Sequence, residues 1–375
     1  MRITTAILSL TLLLPAPALA RKVPITLVAV GDVGFNMSGK KVYPGGMKMW
    51  AKKLVPFKSM FKDRTIRRYI RGDIRFLNLE TVITNRNDIV AETKKYNFRS
   101  HPNCIKAMQS VGKGFNLYSI ANNHIRDYGA EGIAETRKWL RRWNKKKRLW
   151  FAGSGKNIDQ ASNITVMKLR GGVRVAFAAV SIGPVATPKR AGVAPTYRPH
   201  ALQKLKKARA HIRILSMHAG SERALKPVGY QLSLAHRAID KYKVDIVIGH
   251  HPHVVQGVER YNGGLILYSL GNFALRGARN MATVKKLRGK GDYGLLAKLV
   301  MRYDTSRKRL RFKILEALPV YDMHSGPHPF KKKEAARARI KYLNILSARL
   351  RKKKNPRVAF TENKQGQFVY YFKKK

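Results

Sequence analysis

The sequence predicts an α/β protein built from layered, largely parallel or mixed sheets flanked by helices. Three observations predict it. Short apolar runs recur, and each ends in a polar loop. Helical patterns stand between several of them, and hairpins follow late in the chain. Apolar runs of this length suit strands buried on both faces, and alternation with helices suits stacked layers.

The elements follow in order. Residues 25–30 (ITLVAV), 75–79 (RFLNL) and 116–120 read as buried strands, and residues 129–143 as a helix with charges on one face. Residues 164–181 read as a hairpin turning at Gly171-Gly172. Residues 183–200, rich in Pro and Gly, read as a long surface loop. Residues 212–217 and 244–248 (VDIVI) are strands, with a helix over 230–242 between them. A second hairpin turns around Asn262-Gly263-Gly264 into a strand over 265–268. Residues 295–303 and 310–318 read as a late antiparallel pair. Residues 331–375 hold 16 Lys and Arg against two Glu. Even so, Ala336, Ile340, Leu343, Leu346 and Leu350 make an apolar stripe, which predicts a basic helix packed on the body. The division expected is 1–20, 21–322 as the main domain, and 323–375 as a basic extension.

Composition narrows the classes. The chain has 375 residues, 77 Lys and Arg, 20 Asp and Glu, and a formal charge of +57. Hydrophobic residues reach 44%, with 16 Tyr, 14 Phe and 4 Trp, enough to exclude intrinsic disorder despite the charge. The length allows one large domain or two ordinary ones. The single cysteine, Cys104, excludes an intrachain disulfide framework and any multi-cysteine metal site. Residues 1–20 (MRITTAILSLTLLLPAPALA) carry Arg2, an apolar core and the cleavage pattern Ala18-Leu19-Ala20. That is the pattern of a secretory signal peptide. The mature chain is expected to begin at Arg21 and to be exported, periplasmic or extracellular. No later run approaches the ~18 apolar residues of a membrane span, so no transmembrane segment is expected after cleavage.

Five segments place ligand-type residues directly after apolar strands. They are Gly31-Asp32, Asn78-Leu79-Glu80, Asn122-Asn123-His124 with Asp127, His218 with Gly220 and Glu222, and His250-His251-Pro252-His253. Strand C-terminal ends are where open α/β sheets gather ligands. Carboxylate, Asn amide and imidazole together suit a pair of divalent metals such as Mn, Fe or Zn. Two such metals can clamp an oxyanion for displacement at phosphorus. Taken singly, each motif has a plainer reading: a turn, a solvated carboxylate or a satisfied core histidine. Three histidines in four residues are harder to explain without a metal or phosphate.

These blocks, in this order, resemble the CapA family of poly-γ-glutamate capsule synthesis proteins, a branch of the calcineurin-like metallophosphatases. The likeness runs from about Ile25 to Phe273 and closes on Tyr268-Ser269-Leu270-Gly271-Asn272-Phe273. It implies a four-layer α/β/β/α sandwich of the metallo-dependent phosphatase type, with two divalent metal ions between the strand ends. It maps Asp32 onto a ligand of one metal and Glu80 onto the bridging carboxylate. Asn123, His218, His251 and His253 become the remaining ligands. His124 becomes the group that assists the leaving oxygen or holds the phosphoryl group. His250 is expected just behind the ligands. Asp127 and Glu222 are expected to orient His124 and His218, and Asn272 to cap a loop at the site.

Two departures stand out. The wider superfamily's Asp-x-His is here Asp32-Val33-Gly34, so one histidine is absent, as in the resembled family. The family's His-Trp-Gly-x-Glu-Tyr is here His218-Ala219-Gly220-Ser221-Glu222-Arg223. The two lost aromatics are ones that could line a substrate groove.

The charge has two readings. A surface this basic suits an anionic polymer or a phosphorylated envelope substrate. It also suits an acidic medium, where exposed carboxylates would be protonated anyway, and the spread of basic residues over the whole chain favours this second reading. Nucleic acid is not expected in an exported chain without a recognisable binding module. The function expected is work in making, exporting or anchoring an extracellular anionic polymer, as a two-metal phosphoesterase. The alternatives are a non-catalytic subunit of the capsule export machinery, or hydrolysis or transfer at an amide bond of the polymer.

Overall fold

The computed structural model describes residues 22–35, 39–48, 54–147, 149–276, 284–350 and 355–372. The expected signal peptide lies outside them. Among the described residues no helix is long and apolar enough to cross a membrane.

The strands that build the body are β1 (Lys22–Gly34), β2 (Ile74–Leu79), β3 (Leu117–Ser119), β4 (Trp150–Ala152), β5 (Thr165–Lys168), β6 (Arg174–Ser181) and β7 (Ile212–His218). They continue with β8 (Ile246–His250), β9 (Val258–Tyr261), β10 (Gly264–Leu267), β11 (Asn272–Leu275), β12 (Gly294–Asp304), β13 (Arg309–Tyr321) and β14 (Phe368–Tyr371). The helices are α1 (Arg64–Tyr69), α2 (Asn103–Ser110), α3 (Gly129–Lys147), α4 (Ile158–Ala161), α5 (His200–Lys207), α6 (Gly229–Tyr242) and α7 (Lys333–Ala348).

Two sheets hold these strands. The larger runs β14-β13-β12-β1-β2-β3-β4, and β11 continues along β1 past the end of β12. The smaller runs β5-β6-β7-β8-β10-β9. In the smaller sheet, alternate residues divide cleanly between two cores. Val175, Phe177, Ile212, Ile214, Ile246, Ile248, Leu265 and Leu267 join the core shared with the larger sheet. Ala176, Val180, Leu215, Met217, Val247 and Ile266 instead pack with Leu202 and Leu205 of α5 and with Leu234 and Ala238 of α6. Period-two alternation therefore places one face between the sheets and the other under helices. Phe76 of β2 meets Phe177 of β6 across the gap, ring centroids 5.8 Å apart. α2 packs with the larger sheet's core through Ile105 and Met108. The result is the four-layer α/β/β/α arrangement.

The strands with continuous apolar runs stand where the sequence places them, and both hairpins form. Gly171 and Gly172 take φ of 64° and 72°, and the second turn uses Asn262 and Gly263 at 43° and 88°. Positive φ at both central residues is what a tight hairpin needs.

Three expectations change. The stretch 183–200 is not all loop: Gly192–Val193 pairs with Ser154–Gly155. Asn272 does not stand in a loop; it opens β11, in register with Asp32 of β1. Ala219 is buried in the core under α6, so an aromatic at that position would not face a groove. The last residues are also part of the main sheet. β14 pairs with β13, and α7 packs on β9, where Ser347 Oγ accepts from Val258 N at 2.9 Å.

Candidate metal centre

Strand register brings the site together. β1 and β2 run parallel with Asp32 level with Asn78, and Asn272 of β11 is level with Asp32 on the other side. In the second sheet, His218 of β7 is level with His250 of β8. Apart from Asn272, which opens β11, these residues sit at or near the strands' C-terminal ends, so the two sheets deliver their polar groups to one place.

The chain must approach itself closely to do this. A Cβ on Gly31 would stand 1.9 Å from Gly271 O, and one on Gly249 would stand 1.9 Å from Tyr268 O. Only glycine permits both approaches. After β8, His251 and His253 take φ of 94° and 58°. Non-glycine residues in this region carry strain of about 1–3 kcal/mol each, and such strain gathers at functional sites.

At the centre, Asp32 Oδ1 accepts from Asn78 Nδ2 at 2.8 Å. Asp32 Oδ2 is 3.2 Å from His253 Nδ1, and that nitrogen is also 2.8 Å from Asn272 Oδ1. Glu80 Oε1 lies 3.5 Å from His218 Nε2 and 3.8 Å from His253 Nε2. His218 Nε2 is 2.7 Å from Asn123 Oδ1 and 3.2 Å from His251 Nδ1. One ligand atom each from Asp32, Glu80 and His218 fall within 4.8 Å of one another.

Both Glu80 oxygens and Asp32 Oδ2 are buried without a hydrogen bond. His250 Nδ1 stands 3.2 Å from Asp32 Oδ1, out of line for a hydrogen bond, and both its ring nitrogens are unpartnered. Buried orphans of this kind are costly unless something else satisfies them.

The electrostatics point the same way. Burial pushes the Asp32 carboxyl up, but His250 and His253 outweigh it and hold it well below the usual range. Burial, then the neighbouring Asp32 charge, drives Glu80 well above its usual range. Two carboxylates this close cannot both ionise unaided. Burial opposes charge on His253, yet Glu80 and Asp32 raise it to about 10. Burial, then His253, lowers His251 to about 4; burial, then His251, drives His218 well down. Neutral imidazoles beside clustered acids are ready for a cation. Mixed nitrogen and oxygen donors suit Mn, Fe or Zn. The residues present therefore fit a divalent metal.

His124 stands at the border. Its Nδ1 is 2.8 Å from Asp127 Oδ2, and its ring lies against Phe98, centroids 4.2 Å apart. Burial lowers its pKa, with Asp127 pulling the other way. Asn122 fixes this loop by donating to Leu79 O at 2.8 Å and accepting from His124 N at 3.1 Å. Asp127 is fully buried and ion-paired to Lys94 Nζ. It acts on His124 and faces no open space itself.

Asp32, Glu80, Asn123, His218, His251 and His253 thus converge, with His250, Asn272 and the His124–Asp127 pair around them. Glu222 does not join His218 as expected. It is exposed, and the His218 ring nitrogens face Asn78, Asn123, Glu80 and His251 instead. The loop after β7 carries Glu222 out toward solvent. Asn78, Asn122 and Lys94 had no role assigned from sequence. Asn78 lies two positions before Glu80, which directly follows β2, and period two carried one step past the strand places both on one side. Lys94 also donates to Asn123 O at 3.0 Å, and its polar loop carries no pattern that marks it.

Known proteins resemble this chain. A capsule biosynthesis protein CapA from Bacillus anthracis is 35% identical over 216 residues, 55% of this chain and 50% of that protein. The PGA biosynthesis protein CapA of Bacillus subtilis (strain 168) is 31% identical over 202 residues, 52% and 51% of the two chains. The aligned stretches thus span about half the length of these relatives. A calcineurin-like phosphoesterase structure, YfkN from Bacillus subtilis, is a distant likeness, with a TM-score of 0.44, 14% identity, and coverage of 80% of this chain and 91% of that one. The family model described as bacterial capsule synthesis protein PGA_cap matches residues 26–276. That span holds every residue of the candidate metal centre, and this chain belongs to the PGA_cap family of bacterial capsule synthesis proteins.

Proposed function

We propose that this protein is an exported, two-metal phosphoester hydrolase that serves the synthesis, export or anchoring of an anionic capsule-type polymer such as poly-γ-glutamate. The observation that carries the reading is the pair of buried carboxylates, Asp32 and Glu80, with three oxygens unpartnered and the neutral imidazoles of His218 and His251 close by. Asp32, Glu80, Asn123, His218, His251 and His253 would hold the ions. Bound there, divalent ions supply Lewis acidity and a nucleophile at neutral pH.

The chain's own groups do the rest. Asp127 engages His124 Nδ1, which leaves Nε2 as the nitrogen available to a substrate oxygen. Asn272 fixes the His253 ring, and Asn78 fixes the Asp32 carboxylate.

One observation favours a second reading, a metal-binding but non-catalytic polymer subunit. Gly34 replaces the superfamily's histidine, and a Cβ there would already stand 3.1 Å from Glu80 O. The site cannot regain that ligand without moving Glu80.

Metal analysis of the purified protein, followed by a phosphoester screen, separates the readings. We expect bound Mn, Fe or Zn, and turnover that drops by more than about 100-fold in Asp32→Asn and His251→Ala. Ligands should cost more than the groups behind them, whose loss costs about 10- to 100-fold. Protein that takes up no divalent metal would refute the site. Bound metal without turnover on any phosphoester would leave the subunit reading.

A further inference from the structure

Outside the metal centre lies a cavity of about 690 Å³ between the loop before β12 and the start of α7. Three cations stand on its rim: Arg288, Lys331 and Lys332. All three are exposed, and among the described residues none pairs with a carboxylate. One wall is aromatic. Tyr321 lies against His328 and Phe330, ring centroids 6.1 and 5.4 Å apart. Arg339 stacks over Phe330 at 4.7 Å and binds Asp292 through two bonds of 2.6 and 3.1 Å.

In so basic a chain, unpaired cations alone mean nothing. Here they surround a concavity whose remaining charged pair is already neutralised. The Arg339–Asp292 fork is largely buried and holds the wall rigid, so the free charge at the cavity is all of one sign. The volume is that of a ligand site and exceeds what a single ion needs. Rings beside cations suit a ligand that has flat or methylene segments between negative groups.

The location adds to this. Asp292 Oδ2 accepts from Gly289 N at 3.0 Å and so ties the loop that carries Arg288. The other side of that loop reaches the metal centre: a Cβ on Gly291 would stand 3.1 Å from Val254, next to His253. One short loop separates the cavity from the metal ligands.

We propose that this cavity is a second site that holds a segment of a polycarboxylate chain beside the metal centre. Arg288, Lys331 and Lys332 take the carboxylates, and the Tyr321–His328–Phe330 wall takes the backbone between them. The proposal rests on the polymer reading above, but not on metal or turnover.

The test uses full-length protein treated with chelator and a fluorescent poly-γ-glutamate of about ten residues, titrated between about 20 and 200 mM salt. The triple variant Arg288→Gln, Lys331→Gln, Lys332→Gln should bind at least about tenfold more weakly. Its salt dependence should fall by about 2 in log–log slope, at about 0.7 per released counterion. A control triple of exposed lysines, Lys62→Gln, Lys106→Gln and Lys168→Gln, removes equal charge elsewhere and should change binding less than about twofold. Phe330→Leu keeps the charge and should weaken binding with the salt slope unchanged. Thermal melts confirm folding, and Lys331→Gln alone serves if the triple fails.

Equal losses in both triples would overturn the proposal in favour of diffuse charge. Polyphosphate bound more tightly through the same three residues would overturn the carboxylate assignment. Binding abolished by Asp32→Asn but not by the triple would place the polymer at the metal centre instead.

Discussion

Asp127 shows how far burial separates one carboxylate from another in this chain. It is wholly buried, bonded to His124 and ion-paired with Lys94. Asp88 pairs with Arg86 at 2.6 Å, but its side chain is 67% exposed. Breaking a buried pair strands its partners, whereas an exposed pair is screened. Asp127→Ala should therefore lose about 3–5 kcal/mol in urea denaturation, and Asp88→Ala should be indistinguishable from wild type. Equal effects would refute the distinction. Asp245 gives a pH test at the same scale. Burial lifts its carboxyl to about 6, against the backbone hydrogen bond from Arg213. The folded chain then keeps a proton that the unfolded chain releases between pH 4 and 6. Stability from this group is full below pH 4 and is lost as pH rises through 6. Asp245→Asn keeps an acceptor for Arg213 N and should remove that decline; a wild-type-like pH profile in the variant would refute it. At this scale the sequence was informative wherever a polar residue ended an apolar strand, as Asp32, Glu80, His218 and His250 do. Glu222 shares a motif with His218, but three residues of loop separate them, and spacing in a motif does not fix where a loop carbonyl or carboxylate points.

Elements were legible where burial dictates pattern. β8 and the 27–30 stretch of β1 are covered on both faces and read as unbroken apolar runs. α1 was not legible, because Ile66 alone of its RTIRRY is buried. β11 was missed because Asn272, a polar residue, opens a strand of only four residues. The close approach at Gly31 was equally invisible, since its cause lies 240 positions on at Gly271. It yields a prediction. Asp32 N donates to Gly271 O at 3.0 Å, so the same approach positions the Asp32 backbone. A methyl group at position 31 would collide with backbone, which cannot rotate away as a side chain can. Gly31→Ala should therefore separate β1 from the 271 loop and cost several-fold more stability than Gly263→Ala, where no atom lies within 4 Å of the added carbon and strain at φ 88° is the only penalty. Thermal melts of the two variants, each with and without added metal, test this. If Gly31→Ala melts with wild type and still binds metal, the close approach is not needed to build the site.

The whole molecule carries a charge of +57, and its two sheets hold it together against that repulsion. No local pattern announced how the body closes. β14 comes back from residue 368 to pair with 314–317, a contact that periodicity cannot register. The charge itself is legible in composition, and its energetic consequence can be argued through. Like charges spread over one compact body repel more in the folded than in the unfolded chain. At about 10 mM salt the screening length is roughly 30 Å, comparable to the molecule, so most pairs repel; near 150 mM it is roughly 8 Å, and few do. Salt should therefore raise the melting temperature of this protein steadily across that interval. Acid sharpens the effect. Between pH 7 and pH 4 histidines outside the metal centre gain charge and many of the 20 carboxylates lose theirs, so net charge climbs. The salt-induced rise should then be larger at pH 4 than at pH 7, and sulfate should exceed chloride at equal ionic strength because it also strengthens apolar burial. Melting curves at the two pH values, over a salt series, decide it. A melting temperature independent of salt would mean that the cations are already neutralised within the fold. That outcome would contradict the small number of ion pairs found among the described residues.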